Sequence, residues 1–224
     1  MRWFLDMCII LYYIGEGDKE SLIKKTKIFV SEKKGDKFFL CYYIKDNNIP
    51  RWLNRQKILF KETIEQIDNL DNSNYTSYNS KYSEALYDRD KNKIAKLIAF
   101  FRKTSDKKEF RKKLDNTYLE IEQRINSFIK SYIDEFIIPL DTIDSELKGS
   151  FMNHLNIGSP IKNESDAKTM CSAIQEHQNK ELCIITADNG DWTKEIFEWA
   201  IPIYSNLSKK YPSLPEIKYI QDIN

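Results

Sequence analysis

The chain has 224 residues, with 35 Lys and Arg against 34 Asp and Glu, a formal charge of +1. A hydrophobic share of 41% is enough for a core, while 31% charged residues and a mean hydropathy of −0.59 predict a soluble protein. Collagen-like, membrane-spanning and wholly disordered classes are excluded, and the length suits one large domain or one domain with a sizeable insertion.

In chain order, Arg2–Leu5 reads as a short buried strand stopped by Asp6, followed by an apolar helical stretch to Ile14, a Gly15-Glu16-Gly17 turn and a helix over Lys19–Lys34. FFLCYYI (Phe38–Ile44) is short, aromatic and bounded by Asp46-Asn47-Asn48 and Pro50, the pattern of a strand buried on both faces in a parallel sheet. From Pro50 to about Asp134 the period turns helical: Leu59, Thr63, Ile67 and Leu70 share one face, and Ile94, Leu97, Ile98 and Phe101 another. Leu114, Tyr118, Ile121, Ile125, Phe128 and Tyr132 mark a long amphipathic helix. Between these, DNSNYTSYNSKY (Asp71–Tyr82) is a polar loop expected to be mobile.

Strand signals return with FIIPL (Phe136–Leu140), where Pro139 suggests a sheet edge. A helix over 144–155, a loop, and a helix N-capped by Ser165 follow. ELCIIT (Glu181–Thr186) reads as a strand, ADNGDW as a loop, Thr193–Trp199 as a short helix, and IPIYS (Ile201–Ser205) as the last strand. The expected fold is α/β: a central parallel sheet flanked by helices, in Rossmann-like three-layer fashion, with an inserted helical hairpin. A single domain is assembled from 1–48 and 136–206, with the insertion at about 50–135 and a short tail.

Cys8, Cys41, Cys171 and Cys183 form no C-x-x-C pair and lie in apolar runs, as buried free thiols do in a reducing compartment. The apolar start is interrupted by Asp6, lacks a small-residue cleavage site and is too short to span a bilayer, so a cytoplasmic protein without a membrane partner is expected. His154 and His177 stand alone, and no P-loop or nucleophile elbow is present.

Charge is split along the chain. Arg89–Lys113 holds eleven basic residues against three acids, net +8, whereas Asp134–Asp191 is net −7. The basic run is either a solvated helix face or a polyanion-binding patch. Acids fall at strand ends: Asp6 after the first strand, Asp46 past the second, Asp188 and Asp191 past ELCIIT, with Asp166 near the start of a helix leading back to the sheet. Sites in open parallel sheets form outside the carboxyl ends of strands. Turn chemistry accounts for Asp188 and Asp191, a helix dipole for Asp166 and a polar loop for Asp46. Asp6 is the exception, because an acid inside WFL–MCIIL is costly to bury unless paired or metal-bound.

FLDMCIIL, SDAKTMCSAIQ and CIITADNGDW, in that order, resemble a PIN domain, the metal-dependent nuclease fold. The resemblance covers about residues 1–48 and 136–206. It implies Asp6, Asp166, Asp188 and Asp191 as metal carboxylates, and Thr186 orienting a bound water or a neighbouring carboxylate. It departs at the second acid: the family usually has a Glu at the start of the next helix, where this chain offers Asp46, with Glu16 and Glu62 as substitutes.

All-oxygen ligands favour Mg²⁺ or Mn²⁺, which activate water for attack on a phosphodiester. The expected activity is a metal-dependent endoribonuclease. Its RNA would be gripped by Lys93, Lys96, Arg102, Lys103, Lys107, Lys108, Arg111, Lys112 and Lys113. A nucleic-acid-binding or scaffold protein without turnover and a DNA-directed structure-specific nuclease stay open. So do a protein partner or inhibitor and self-association.

Overall fold

The computed structural model describes residues 1–69, 86–104, 106–155, 160–201 and 205–223; the loop expected at Asp71–Tyr82 lies outside them. The chain divides into two compact units, Met1–Ile49 with Ile125–Asn224, and Pro50–Arg124.

The first unit is α/β. Its strands are β1 (Arg2–Leu5), β2 (Lys37–Cys41), β3 (Ile133–Ile137), β4 (Cys183–Thr186) and β5 (Glu216–Tyr219), in the order β3-β2-β1-β4-β5. Every pairing is parallel. Sequence explains the order. The three inner strands are near-continuous apolar runs buried on both faces, whereas IDEFI and EIKY carry charges that only an edge tolerates. Helices α1 (Met7–Tyr13), α2 (Glu20–Glu32), α6 (Ser145–Leu155), α7 (Pro160–Asn179), α8 (Lys194–Ala200) and α9 (Ser205–Lys210) complete this unit. Beside the sheet, the Trp3 ring meets Phe29 edge-on at 5.0 Å, Phe4 stacks on Trp192 at 6.3 Å, and Phe151 meets Phe197 at 5.3 Å.

The second unit contains α3 (Ile49–Asn69) from Pro50 onward, α4 (Asp88–Thr104), and α5 (Lys107–Tyr132) as far as Arg124. Its buried apolar residues include Leu59, Ile67, Ile94, Phe101, Phe110, Leu114 and Ile121, the stripe its 3.6-residue period announces. Among the described residues, no helix is long and apolar enough to cross a membrane.

Four boundaries differ from expectation. β2 ends at Cys41, and a π-helical turn, Ile44–Asn48, leads into α3; Pro50 near the start of that helix forfeits no ladder bond. β3 starts at Ile133, directly after α5, and ends before Ile138, whose φ of 51° breaks the extended run ahead of Pro139. α7 begins at Pro160, a residue suited to a first turn, so Ser165 lies within the helix and does not cap it. Finally, Ile201 is in a turn and Ser205 opens α9, while 202–204 lie outside the described residues. The last strand is instead Glu216–Tyr219, in what reads as a tail: four residues alternating charge with apolar side chains acquire strand character only beside β4.

Candidate active site

β1 lies at the centre of the sheet, with β2 and β3 added on one side and β4 and β5 on the other. The chain therefore switches direction between β1 and β4, where the connections leaving the strands diverge and open a crevice at the carboxyl edge. Leu5 is in register with Ile185, and the Asp6 N–H donates to the Ile185 carbonyl at 3.1 Å. That register sets Asp6 beside Thr186 at the switch point.

Asp6 is 8% exposed. The Thr186 hydroxyl donates to its Oδ2 at 2.9 Å and the Cys8 thiol to the same oxygen at 2.7 Å, whereas Oδ1 receives no side-chain hydrogen bond. Burial raises the Asp6 pKa above the ordinary value; the two donors pull it back, and the Asp188 charge adds to the rise. Cys8 is itself held, accepting the Ala187 N–H at 3.1 Å, and burial followed by the Asp6 charge pushes its thiol well above the usual range. It serves as a neutral donor, not as a reactive thiolate.

After β4 the Asp188 N–H donates to Thr186 Oγ1 at 3.0 Å. Asp188 Oδ1 accepts the N–H groups of Gly190 at 2.8 Å and Asp191 at 3.3 Å, an Asx-type turn that folds the loop back on itself. A Cβ at position 190 would stand 3.3 Å from that oxygen, so glycine suits the close approach. The turn role and a place in the acid cluster therefore coexist in one side chain.

Asp166 is half-buried in the second turn of α7. Burial, then the charges of Asp6, Asp191 and Asp188, raise its pKa to about 8, and a hydrogen bond from Trp192 opposes the rise. Asp191 is raised by burial and by Asp188. Asp6, Asp166, Asp188 and Asp191 thus act on one another across three separate stretches of sequence.

The remaining sequence candidates fall differently. Asp46 is exposed in the π-helical turn, and its side chain makes no hydrogen bond or ion pair with a described residue. Its neighbour Asn48 instead accepts the Ser165 hydroxyl at 2.8 Å, beside Asp166. Glu16 follows α1, at the far end of that helix from Asp6. Glu62 is buried in the helical unit and accepts from Gln66 at 3.3 Å. Cys8, Asn48 and Trp192 were not among the sequence candidates. Of these, only Cys8 gave a signal, by its place two residues after the anomalous acid.

In the helical unit, Lys93 donates to Gln56 at 3.1 Å and Arg111 pairs with Asp68. Lys113 lies 4.5 Å over the Phe100 ring, and Lys107 is half-buried. Lys96, Arg102, Lys103, Lys108 and Lys112 are exposed and form no ion pair with any described residue.

Among the described residues, no three His, Cys, Asp or Glu side chains stand close enough to hold one metal ion as they are. The chemistry of the donors nonetheless suits a hard divalent cation. Four carboxylates supply only oxygen, and one of them sheds its charge by holding a proton to about pH 8, the form that a cation would replace. The chain matches no protein-family model, no curated protein and no solved structure.

Proposed function

We propose that the protein is a PIN-like, metal-dependent endoribonuclease. The observation carrying this reading is the mutual influence of Asp6, Asp166, Asp188 and Asp191 at the switch point of a parallel sheet. A cluster of acids at a crevice, with one acid forced to stay protonated, is unfavourable unless something cationic is bound there for a purpose.

Mg²⁺ or Mn²⁺ would be held by Asp6, Asp166, Asp188 and Asp191, and would supply a Lewis acid and an activated water for phosphodiester hydrolysis. The chain's own contribution is positional. Thr186 and Cys8 fix Asp6 through Oδ2, the Asp188–Gly190 turn fixes Asp188, and Trp192 fixes Asp166. No side chain need act as a nucleophile. Exposed Lys96, Arg102, Lys103, Lys108 and Lys112 of the helical unit would bind the phosphate backbone.

The test is a cleavage assay on matched single-stranded RNA and DNA with Mg²⁺, Mn²⁺ or chelator, using Asp6→Asn as control. Metal-dependent RNA cleavage lost in the control supports the reading. Cleavage confined to DNA would make the protein a deoxyribonuclease, and RNA binding without cleavage a scaffold.

A further inference from the structure

The carboxyl edge of the sheet is strongly acidic. The segments of the α/β unit leaving the strand ends (residue 6, then 42–48, 138–144, 187–193 and 220–223) contain Asp6, Asp46, Asp141, Asp144, Asp188, Asp191 and Asp222 but a single Lys or Arg, Lys45. A polyanion approaching this edge is repelled unless that cation meets it.

Lys45 is held in an unusual way. Its ammonium lies 4.6 Å from the Phe136 ring centroid and 5.3 Å from that of Tyr42, two rings that are themselves 5.8 Å apart. This is cation–π support from two strands, β3 supplying Phe136 and the end of β2 leading into Tyr42. Lys45 is exposed, and its ammonium makes no hydrogen bond or ion pair with any described residue, although Asp46 is its neighbour in sequence. Its three N–H donors are therefore available to an acceptor from outside.

The turn bearing Lys45 is tied to the candidate site on both sides. Asn48 accepts the Ser165 hydroxyl at 2.8 Å, one residue before Asp166, and Lys168, two residues after it, lies 4.9 Å from the ring of buried Tyr43. The Lys45 turn and the helix carrying Asp166 are thus held together. A π-helical turn at such a place is a common accompaniment of function.

We infer that Lys45, seated on the Tyr42 and Phe136 rings, binds a backbone phosphate of the substrate beside the carboxylate cluster. The assignment rests on the nuclease reading and adds a contact separate from the helical unit's basic face. The ring pair restrains the side chain before substrate arrives, so less conformational entropy is lost on contact than for a free lysine.

The experiment measures binding of a fluorescent single-stranded RNA by anisotropy at several salt concentrations, with the full-length Asp6→Asn protein as the non-cleaving parent. Adding Lys45→Gln should weaken binding about tenfold, as expected for one lost charge-assisted contact, and reduce the slope of log K against log salt by about 0.7. Adding Lys45→Arg, which keeps a cation over the rings, should restore most of the affinity and guards against a folding defect in the Gln variant. In the active protein, Lys45→Gln should raise KM while leaving kcat nearly unchanged. A parent that binds RNA with an affinity and salt slope untouched by Lys45→Gln would overturn the assignment and leave the nuclease reading standing. A parent that binds no RNA would overturn both.

Discussion

The Cys8 thiol donates to Asp6 Oδ2 at 2.7 Å, and the backbone N–H of Ala187 donates to the same sulfur at 3.1 Å. A side chain from the first turn of α1 is thereby clamped between the acid ending β1 and the loop leaving β4. The Thr186 hydroxyl reaches the same carboxylate oxygen at 2.9 Å, so two donors fix one oxygen. Groups of this kind around a metal carboxylate typically change affinity or activity 10–100-fold when removed. Cys8→Ala should therefore weaken Mn²⁺ affinity, measured by calorimetry, about tenfold or more, whereas Cys8→Ser, which keeps a donor, should lose much less. Equal losses in both variants would mean that packing, not the hydrogen bond, is what matters.

Asp6→Asn and Asp188→Asn should each abolish cleavage without destabilising the metal-free protein. Each exchange removes one charge from a cluster whose members raise each other's pKa, so repulsion falls. Thermal melts in chelator should show an unchanged or higher Tm for both variants. A drop of more than about 5 °C, on the order of 1–2 kcal/mol for a domain of this size, would mark these acids as structural.

Stability of the metal-free protein should fall as pH rises. The Asp166 carboxyl holds its proton to about pH 8 when folded, against an ordinary value of 3.8. Between those limits the native state binds more protons than the unfolded state. The stabilisation is complete below the unfolded value and is lost as pH climbs through the folded one. Asp6 and Asp191, also raised, act in the same direction. Asp144, lowered to about 2 by Lys210, the Leu147 N–H and Tyr211 against the opposing effect of burial, acts only below about pH 4. Melts in chelator from pH 5 to pH 8 should show a declining Tm, and Asp166→Asn should flatten the decline. A Tm that rises over this range would refute the coupling.

The helical unit supplies a fourth test. Replacing Lys96, Lys103, Lys108 and Lys112 with Ala removes four exposed lysines that have no ion-pair partner among the described residues. Binding of single-stranded RNA should weaken across sequences, and the salt slope should flatten by at most ~3 units, about 0.7 per phosphate released. Lys93 and Arg111 are poorer choices, because their partners Gln56 and Asp68 would be left unpaired. An unchanged slope would identify the basic face as a solvated surface or a protein-binding one.

What the sequence determined by itself was the class of structure and the place of most of the acids. Apolar runs at RWFL, FFLC and CIIT can only be strands buried on both faces, and helical periods between them force parallel crossovers. An acid ending the first of these runs was conspicuous because no local feature relieves the cost of its burial. Tertiary structure decided the rest. The fifth strand, EIKY, has no local signature, since its charged positions are tolerable only at an edge and its strand character comes from the ladder with β4. Asp46 was the acid the spacing favoured after the second strand, yet the π-helical turn leaves its side chain exposed and turns Asn48 toward Ser165. The influence of Asp6, Asp188 and Asp191 on Asp166 depends on strand order, which sets β1 against β4 across some 180 residues of intervening chain. Local propensity is fixed by near neighbours, whereas a cluster of like charges exists only where the sheet's register brings distant strand ends together.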